Sequence, residues 1–258
     1  MTERDTLIPG VFLERPNRFL TRVLLDGPPG QPMGDPVEAH LPDPGRLREL
    51  LVPGRRIRVR PAPPPAPGRP TRRTRFTLVL VETPDREGWV SVDTTLPNRL
   101  VGAALAEGAL EEFAGWTLDR AEVRHGASRF DFRLTRGREG GHEESGGKAG
   151  GGRAEALYLE VKSVTLVEDG RALFPDAVTA RGARHLQELA ELARQGTATA
   201  VLFVAQRADV REIEAARSID PTFADALEEA RAAGVAIHGR RCRVTPEGVE
   251  LLGRVPVV

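Results

Sequence analysis

Two stretches of the chain alternate apolar and polar residues at the period of a β-strand: SRFDFRL at 128–134 and ALYLEVKSVTL at 156–166. The first places Phe130, Phe132 and Leu134 on one face and Arg129, Asp131 and Arg133 on the other. The second places Leu157, Leu159 and Val161 against Tyr158, Glu160 and Lys162. Shorter strands are predicted at 11–25 (a strand or strand pair), 37–41, 55–62 and 75–83, where Ile57 and Val59 face inward and Arg56, Arg58 and Arg60 outward. A strand opens 89–92. The helical period predicts a helix after Asp93 or Thr95, with Leu100, Ala104 and Leu105 on its apolar face. A second helix is predicted over about 180–195, with Leu186, Leu189, Ala190 and Ala193 on one side and Arg181, His185 and Glu188 on another. TATAVLFVAQ reads as a buried strand. FADALEEARAAG reads as a helix ended by Gly234, and the last residues as closing strands.

Punctuation divides these elements. Pro- and Gly-rich runs at 27–36 and 61–70 mark turns among the early short strands, an arrangement that predicts a small β-barrel of the OB type over residues 1–85. Residues 86–258 alternate strands and helices around what should be a central sheet, an α/β unit within an α+β chain. Between the two alternating strands lies a segment dense in glycine and charge, containing His142, expected to be a mobile loop.

Composition narrows the class. The 258 residues carry 37 basic and 37 acidic side chains, so no global field gathers nucleic acid and any such contact needs a local patch. One cysteine, Cys242, excludes an internal disulfide or a cysteine-built zinc site. No run approaches a membrane span and the first residues lack an apolar signal core. The expectation is a cytoplasmic protein with no membrane partner and with a homodimer left open.

If the two alternating strands are neighbours, Asp131 meets Glu160 and Lys162 on one sheet face. Two carboxylates can hold Mg²⁺ or Mn²⁺ while leaving room for water and a phosphodiester, and an adjacent amine can offset developing charge. Such a triplet equally describes a solvated strand face whose ion pair contributes roughly 0–1 kcal/mol. Glu122, one strand earlier, is a candidate third metal ligand or a surface carboxylate paired with Arg120 or Arg124. For nucleic acid the candidate contacts are Arg18, Arg46, Arg72 and Arg73 in the barrel, and Arg181 with His185 on the helix, where His185 could equally act as a general acid/base or serve as a structural side chain. Phe12, Phe19 and Phe76 could stack on bases or belong to the core. Asp176 is read as a cap for the segment after it.

EVRHGASRFDF, YLEVKSVTL and LFPDAVTARGARHLQEL, together with AHLPDPGRLRELLVPG and DTTLPNRLV, resemble the sugar fermentation stimulation protein A family over nearly the whole chain. That resemblance implies an OB-like barrel followed by a PD-(D/E)XK nuclease-like domain, similar to restriction endonucleases. It implies DNA as the partner and regulation of sugar (maltose) metabolism genes, either with a metal-dependent nuclease site or without turnover. Asp131, Glu160 and Lys162 fall where that nuclease motif has its acid, second acid and lysine. Where the family usually has a Cys-Pro-Asn-Thr-Gly-Arg-like run, this chain has Leu41-Pro42-Asp43-Pro44-Gly45-Arg46.

Overall fold

The computed structural model describes residues 7–27, 34–64, 72–126, 128–137 and 155–258. The expected loop around His142 and most of the second proline-rich run lie outside the described residues.

The early strands form a closed barrel. Strands β1 (Ile8–Asn17), β2 (Leu20–Leu25), β3 (Val37–His40), β4 (Arg56–Pro61) and β5 (Phe76–Glu82) pair in the order β3-β2-β1-β4-β5, and β3 returns to β5 to close the circle. Closure removes the exposed edges that short strands would otherwise present. Phe12, Val23, Ile57, Val59 and Leu78 fill its interior. Strand β6 (Trp89–Ser91) pairs with β5 across a short turn. The strand that the sequence assigned to the second unit therefore belongs to the first sheet, which runs past residue 85.

The second unit is built on a six-stranded mixed sheet of β7 (Thr117–His125), β8 (Ser128–Arg136), β9 (Glu155–Val164), β12 (Ala198–Ala205), β14 (Ala236–Thr245) and β15 (Gly248–Val255), in the order β15-β14-β12-β9-β8-β7. The three central strands β9, β12 and β14 run parallel. A small sheet of β10 (Leu166–Glu168), β11 (Arg171–Phe174) and β13 (Glu212–Ala215) adjoins it. Helices α2 (Ala180–Arg194) and α3 (Pro221–Ala232) cover one face, with Leu186, Leu189, Phe203 and Phe223 in the core between. Helix α1 (Leu96–Ala106) covers the other face with Val101 and Leu105, and barrel residues Val79 and Leu80 join that same core. Cys242 sits in this second core, where burial pushes its thiol up to about 12. Among the described residues no helix is long and apolar enough to cross a membrane.

Two local expectations are refined and one changes. Helix α1 buries Pro97, Val101 and Leu105 most deeply, with Leu100 and Ala104 partly buried against the same core. Its start is held by Asp93, whose Oδ1 accepts from the backbone N–H and the hydroxyl of Thr95. Phe130 and Phe132 do not share a face: Phe130 packs toward α2, Phe132 and Leu134 toward α1. Opposite Asp131 on β7, Glu122 adopts φ 54°, left-handed and costly for a side-chain-bearing residue, between the pairs Ala121↔Phe132 and Val123↔Phe130.

Candidate metal and phosphate site

The geometry begins with a ladder that stops. Strands β8 and β9 pair from Arg136↔Glu155 to Phe132↔Leu159 and no further. At the next position the Asp131 side chain takes over: its Oδ2 accepts from the Val161 backbone N–H at 2.7 Å. Its Oδ1 accepts from Asn98 Nδ2 on α1 at 2.6 Å. The carboxylate is thereby fixed at the mouth between two diverging strands, beside Glu160.

Glu160 and Lys162 project from β9 toward α2, in a strand fixed by its parallel pairing with β12. Both are nearly closed to solvent, at 5% and 9% exposure. Lys162 Nζ donates to Glu160 Oε1 at 2.8 Å. The same oxygen receives His185 Nδ1 from α2 at 2.6 Å. Glu160 Oε2 is buried and has no hydrogen-bond partner. A buried carboxylate oxygen without a partner is costly, because it has given up water for nothing.

The electrostatics follow from this packing. Burial, reinforced by the neighbouring Glu160 charge, raises Asp131 to about 6; the Val161 N–H, Asn98 and Lys162 oppose the shift. Burial also pushes Glu160 upward, but the His185 hydrogen bond and the Lys162 charge outweigh it, and its carboxyl lies below the ordinary range. Burial and its neighbours thus push the two carboxyls in opposite directions, Asp131 up and Glu160 down.

Asp131, held by the Val161 N–H just past the end of the β8–β9 ladder, feels the charges of Glu160 and Lys162, and the structure moves two other candidates. Glu122 is two-thirds exposed on its side chain and reaches Arg129 at 3.4 Å. Its left-handed backbone aims it outward, to a basic partner other than Arg120 or Arg124. Among the described residues no three His, Cys, Asp or Glu side chains form a ready cation cage, so Glu122 does not complete a third corner. His185, read as a phosphate contact, is 2% exposed and faces Glu160 instead of solvent. The polar edge of β9 needed a polar helix face against it, and α2 turned that face inward.

The barrel arginines sort by partner. Arg22 and Arg56 are ion-paired, Arg55 binds backbone carbonyls, and Arg58 stacks over Trp89. Arg15 donates to the carbonyls of Gly45, Arg46, Arg18 and Asp43, bracing the β1–β2 turn against the 43–46 loop. Around that brace stand Arg18 and Arg46, both exposed, and Phe19, half exposed. Asp176 joins the same place from the second unit: it faces the backbone N–H groups of Arg46 and Leu47 rather than the segment after it, and its Oδ2 is buried without a partner. Thr179 and Asp220 make the caps of α2 and α3. Two and five residues beyond Asp176 come exposed Val178 and Arg181. Arg18, Arg46, Arg72, Arg73 and Arg181 have no carboxylate partner among the described residues, and Arg72 reaches the Thr77 hydroxyl. Phe12 is core, and Phe76 lies under Arg75.

Asn98 was missed by sequence reasoning. It stands in the DTTLPNRLV block, but its partner is 33 residues away and nothing local announces the contact.

Comparison with known proteins agrees with this architecture. Residues 13–92 match the SfsA N-terminal OB domain, and residues 95–248 match the sugar fermentation stimulation protein RE domain. A sugar fermentation stimulation protein homolog of Moorella thermoacetica is 41% identical over 97% of this chain and 96% of its own length. One from Shouchella clausii is 42% identical over 96% and 95%. The solved structure of Pyrococcus furiosus SfsA in complex with Ca²⁺ superposes with a TM-score of 0.80 at 27% identity, covering all of this chain and 98% of that one. The chain belongs to the sugar fermentation stimulation protein family.

Proposed function

We propose that this protein is a metal-dependent phosphodiesterase acting on DNA, with Asp131 and Glu160 holding Mg²⁺ or Mn²⁺ and Lys162 beside them. The observation that carries the reading is the unpartnered, buried Glu160 Oε2 next to an Asp131 carboxyl raised to about 6. A divalent cation with hard oxygen preferences would satisfy the orphaned oxygen and supply the missing positive charge. The Pyrococcus furiosus SfsA structure in complex with Ca²⁺ supports a divalent cation for this chain.

The residues divide the work. Asn98 and the Val161 N–H hold Asp131 in place. His185 and Lys162 occupy Glu160 Oε1, leaving Oε2 for the cation. Lys162 stands beside the place where phosphate charge would build. A bound divalent ion supplies acidified water and a polarised phosphoryl oxygen. The exposed Arg18 and Arg46 of the barrel and Arg181 of the second unit are the candidate contacts for the phosphate backbone.

Incubation of the pure protein with single- and double-stranded DNA and Mg²⁺ or Mn²⁺ tests this. Cleavage that disappears in Glu160→Ala and Asp131→Asn is the expected result. Activity no higher than that of Glu160→Ala ends the enzyme reading.

A second reading has its own observation. Lys162 is folded onto Glu160, and both Asp131 oxygens are already engaged. That self-satisfied arrangement suits a DNA-binding regulator of sugar metabolism genes that keeps the nuclease fold without turnover. DNA binding without cleavage under every metal condition is its outcome.

A further inference from the structure

We propose that Arg181, His185 and Glu160 form a hydrogen-bonded chain that couples a DNA phosphate at the start of α2 to the cation held by Glu160, so that DNA and metal bind cooperatively. The proposal rests on the reading of Asp131 and Glu160 as a cation site.

The chain is fixed by donor and acceptor count. Arg181 Nε lies 3.4 Å from His185 Nε2. A guanidinium nitrogen can only donate, so His185 Nε2 accepts and the ring proton sits on Nδ1. Nδ1 then donates to Glu160 Oε1 at 2.6 Å. With Lys162 also on Oε1, the free valence of the carboxylate is Oε2. Phe130, with its ring centroid 6.2 Å from the imidazole and near perpendicular to it, fixes the ring plane from the side. His185 is therefore a positioning residue: it sets which Glu160 oxygen faces the cation.

Arg181 stands at the other end, one residue inside the helix and exposed. Its Nε is turned inward to His185, so its two terminal nitrogens are the ones a phosphate can reach. A phosphate gripped there holds the guanidinium in the orientation that supports His185, and through it Glu160. Because coupling is reciprocal, whatever DNA does for the metal the metal does for DNA.

The test is Mn²⁺ titration by calorimetry on the full-length protein, with and without a short DNA duplex bearing phosphorothioate linkages. Wild type should bind Mn²⁺ about 5- to 50-fold more tightly with the duplex than without. His185→Asn keeps a donor for Glu160 but offers Arg181 no ring acceptor, and it should retain Mn²⁺ binding while losing the enhancement. His185→Leu removes the donor and should weaken Mn²⁺ alone by roughly 10- to 100-fold, as loss of a ligand-orienting partner does. Arg181→Ala, on the exposed helix surface, should abolish the enhancement. Arg46→Ala should weaken DNA binding yet keep the enhancement, which separates a specific link from general attraction of cations to DNA. Equal Mn²⁺ affinity with and without duplex in wild type, or full enhancement in Arg181→Ala, overturns the coupling while leaving the cation site standing. Failure of wild type to bind Mn²⁺ at all overturns the cation reading and the coupling with it.

Discussion

Asp43 shows how one carboxyl can report on the junction between the two units. It sits in the 41–46 run where the resembling family usually has asparagine, is 7% exposed, and accepts from the Gly45 N–H. Burial raises it to about 6, Asp176 and Glu49 add to the shift, and the Gly45 N–H and Arg15 oppose it. The sign follows from linkage. A folded pKa above the unfolded value means the native state binds the extra proton, so this contribution to stability is full below about pH 4 and is lost as pH rises through about 6. Asp43→Asn keeps an oxygen for Gly45 and removes the buried charge. It should stabilise the protein by about 1–3 kcal/mol at pH 8, with the gain shrinking as pH falls from 6 toward 4. Urea denaturation of both proteins across that range checks it. A difference that does not change with pH would show that the buried charge is not the cause.

At the scale of elements, the loop that carries Asp43 is gripped from both sides, by Arg15 of the barrel and Asp176 of the second unit. Gly45 is required there for closeness: a Cβ on it would overlap the Asp176 carboxylate. Gly45→Ala should therefore cost about 1–3 kcal/mol, as overpacking typically does. The cost should fall in an Asp176→Ala background, because the two changes touch one contact. An undiminished cost would place the strain elsewhere. This grip was invisible in the sequence, since it joins residues some 130 positions apart. What was legible was periodic: the barrel strands, helix α2 and the buried β12. Periodicity failed where the backbone left its regular path. Phe130 and Phe132 pack into different cores, and Glu122, in a left-handed conformation, points its carboxylate at Arg129. It failed again for His185, whose spacing from Arg181 was read correctly while its direction was not. A polar stripe on a helix normally faces water, and here it faces the polar edge of another element. The strand at Trp89 was assigned to the following helix because the two are adjacent in sequence, whereas its hydrogen bonds run back across a short turn to β5.

For the whole molecule, charge bears on how DNA would be held on the proposed reading. With 37 basic and 37 acidic side chains there is no net attraction, so affinity would have to come from arginines without carboxylate partners among the described residues. Arg18 and Arg46 belong to the barrel and Arg181 to the second unit, so a backbone track that used all three would need barrel and sheet packed together. Asp176 on the loop, Gln206 donating to the Asp93 carbonyl and to Ser163, and the shared core of Val79, Leu80 and Leu202 hold them so. Contacts of this kind read phosphates and carry little sequence information. Binding measured in EDTA, to keep the cation out, should then be similar for unrelated duplexes and fall steeply with salt. Each phosphate contact adds about 0.9 to the slope of log affinity against log salt. The Arg18→Ala, Arg46→Ala double variant should lower that slope by roughly 2, and should weaken all sequences alike. An unchanged slope would move the DNA track off the seam, to the surface around Arg72 and Arg73. Strong preference for one sequence in the wild type would require base-reading contacts, which this surface of guanidinium groups and a single exposed phenyl ring does not supply.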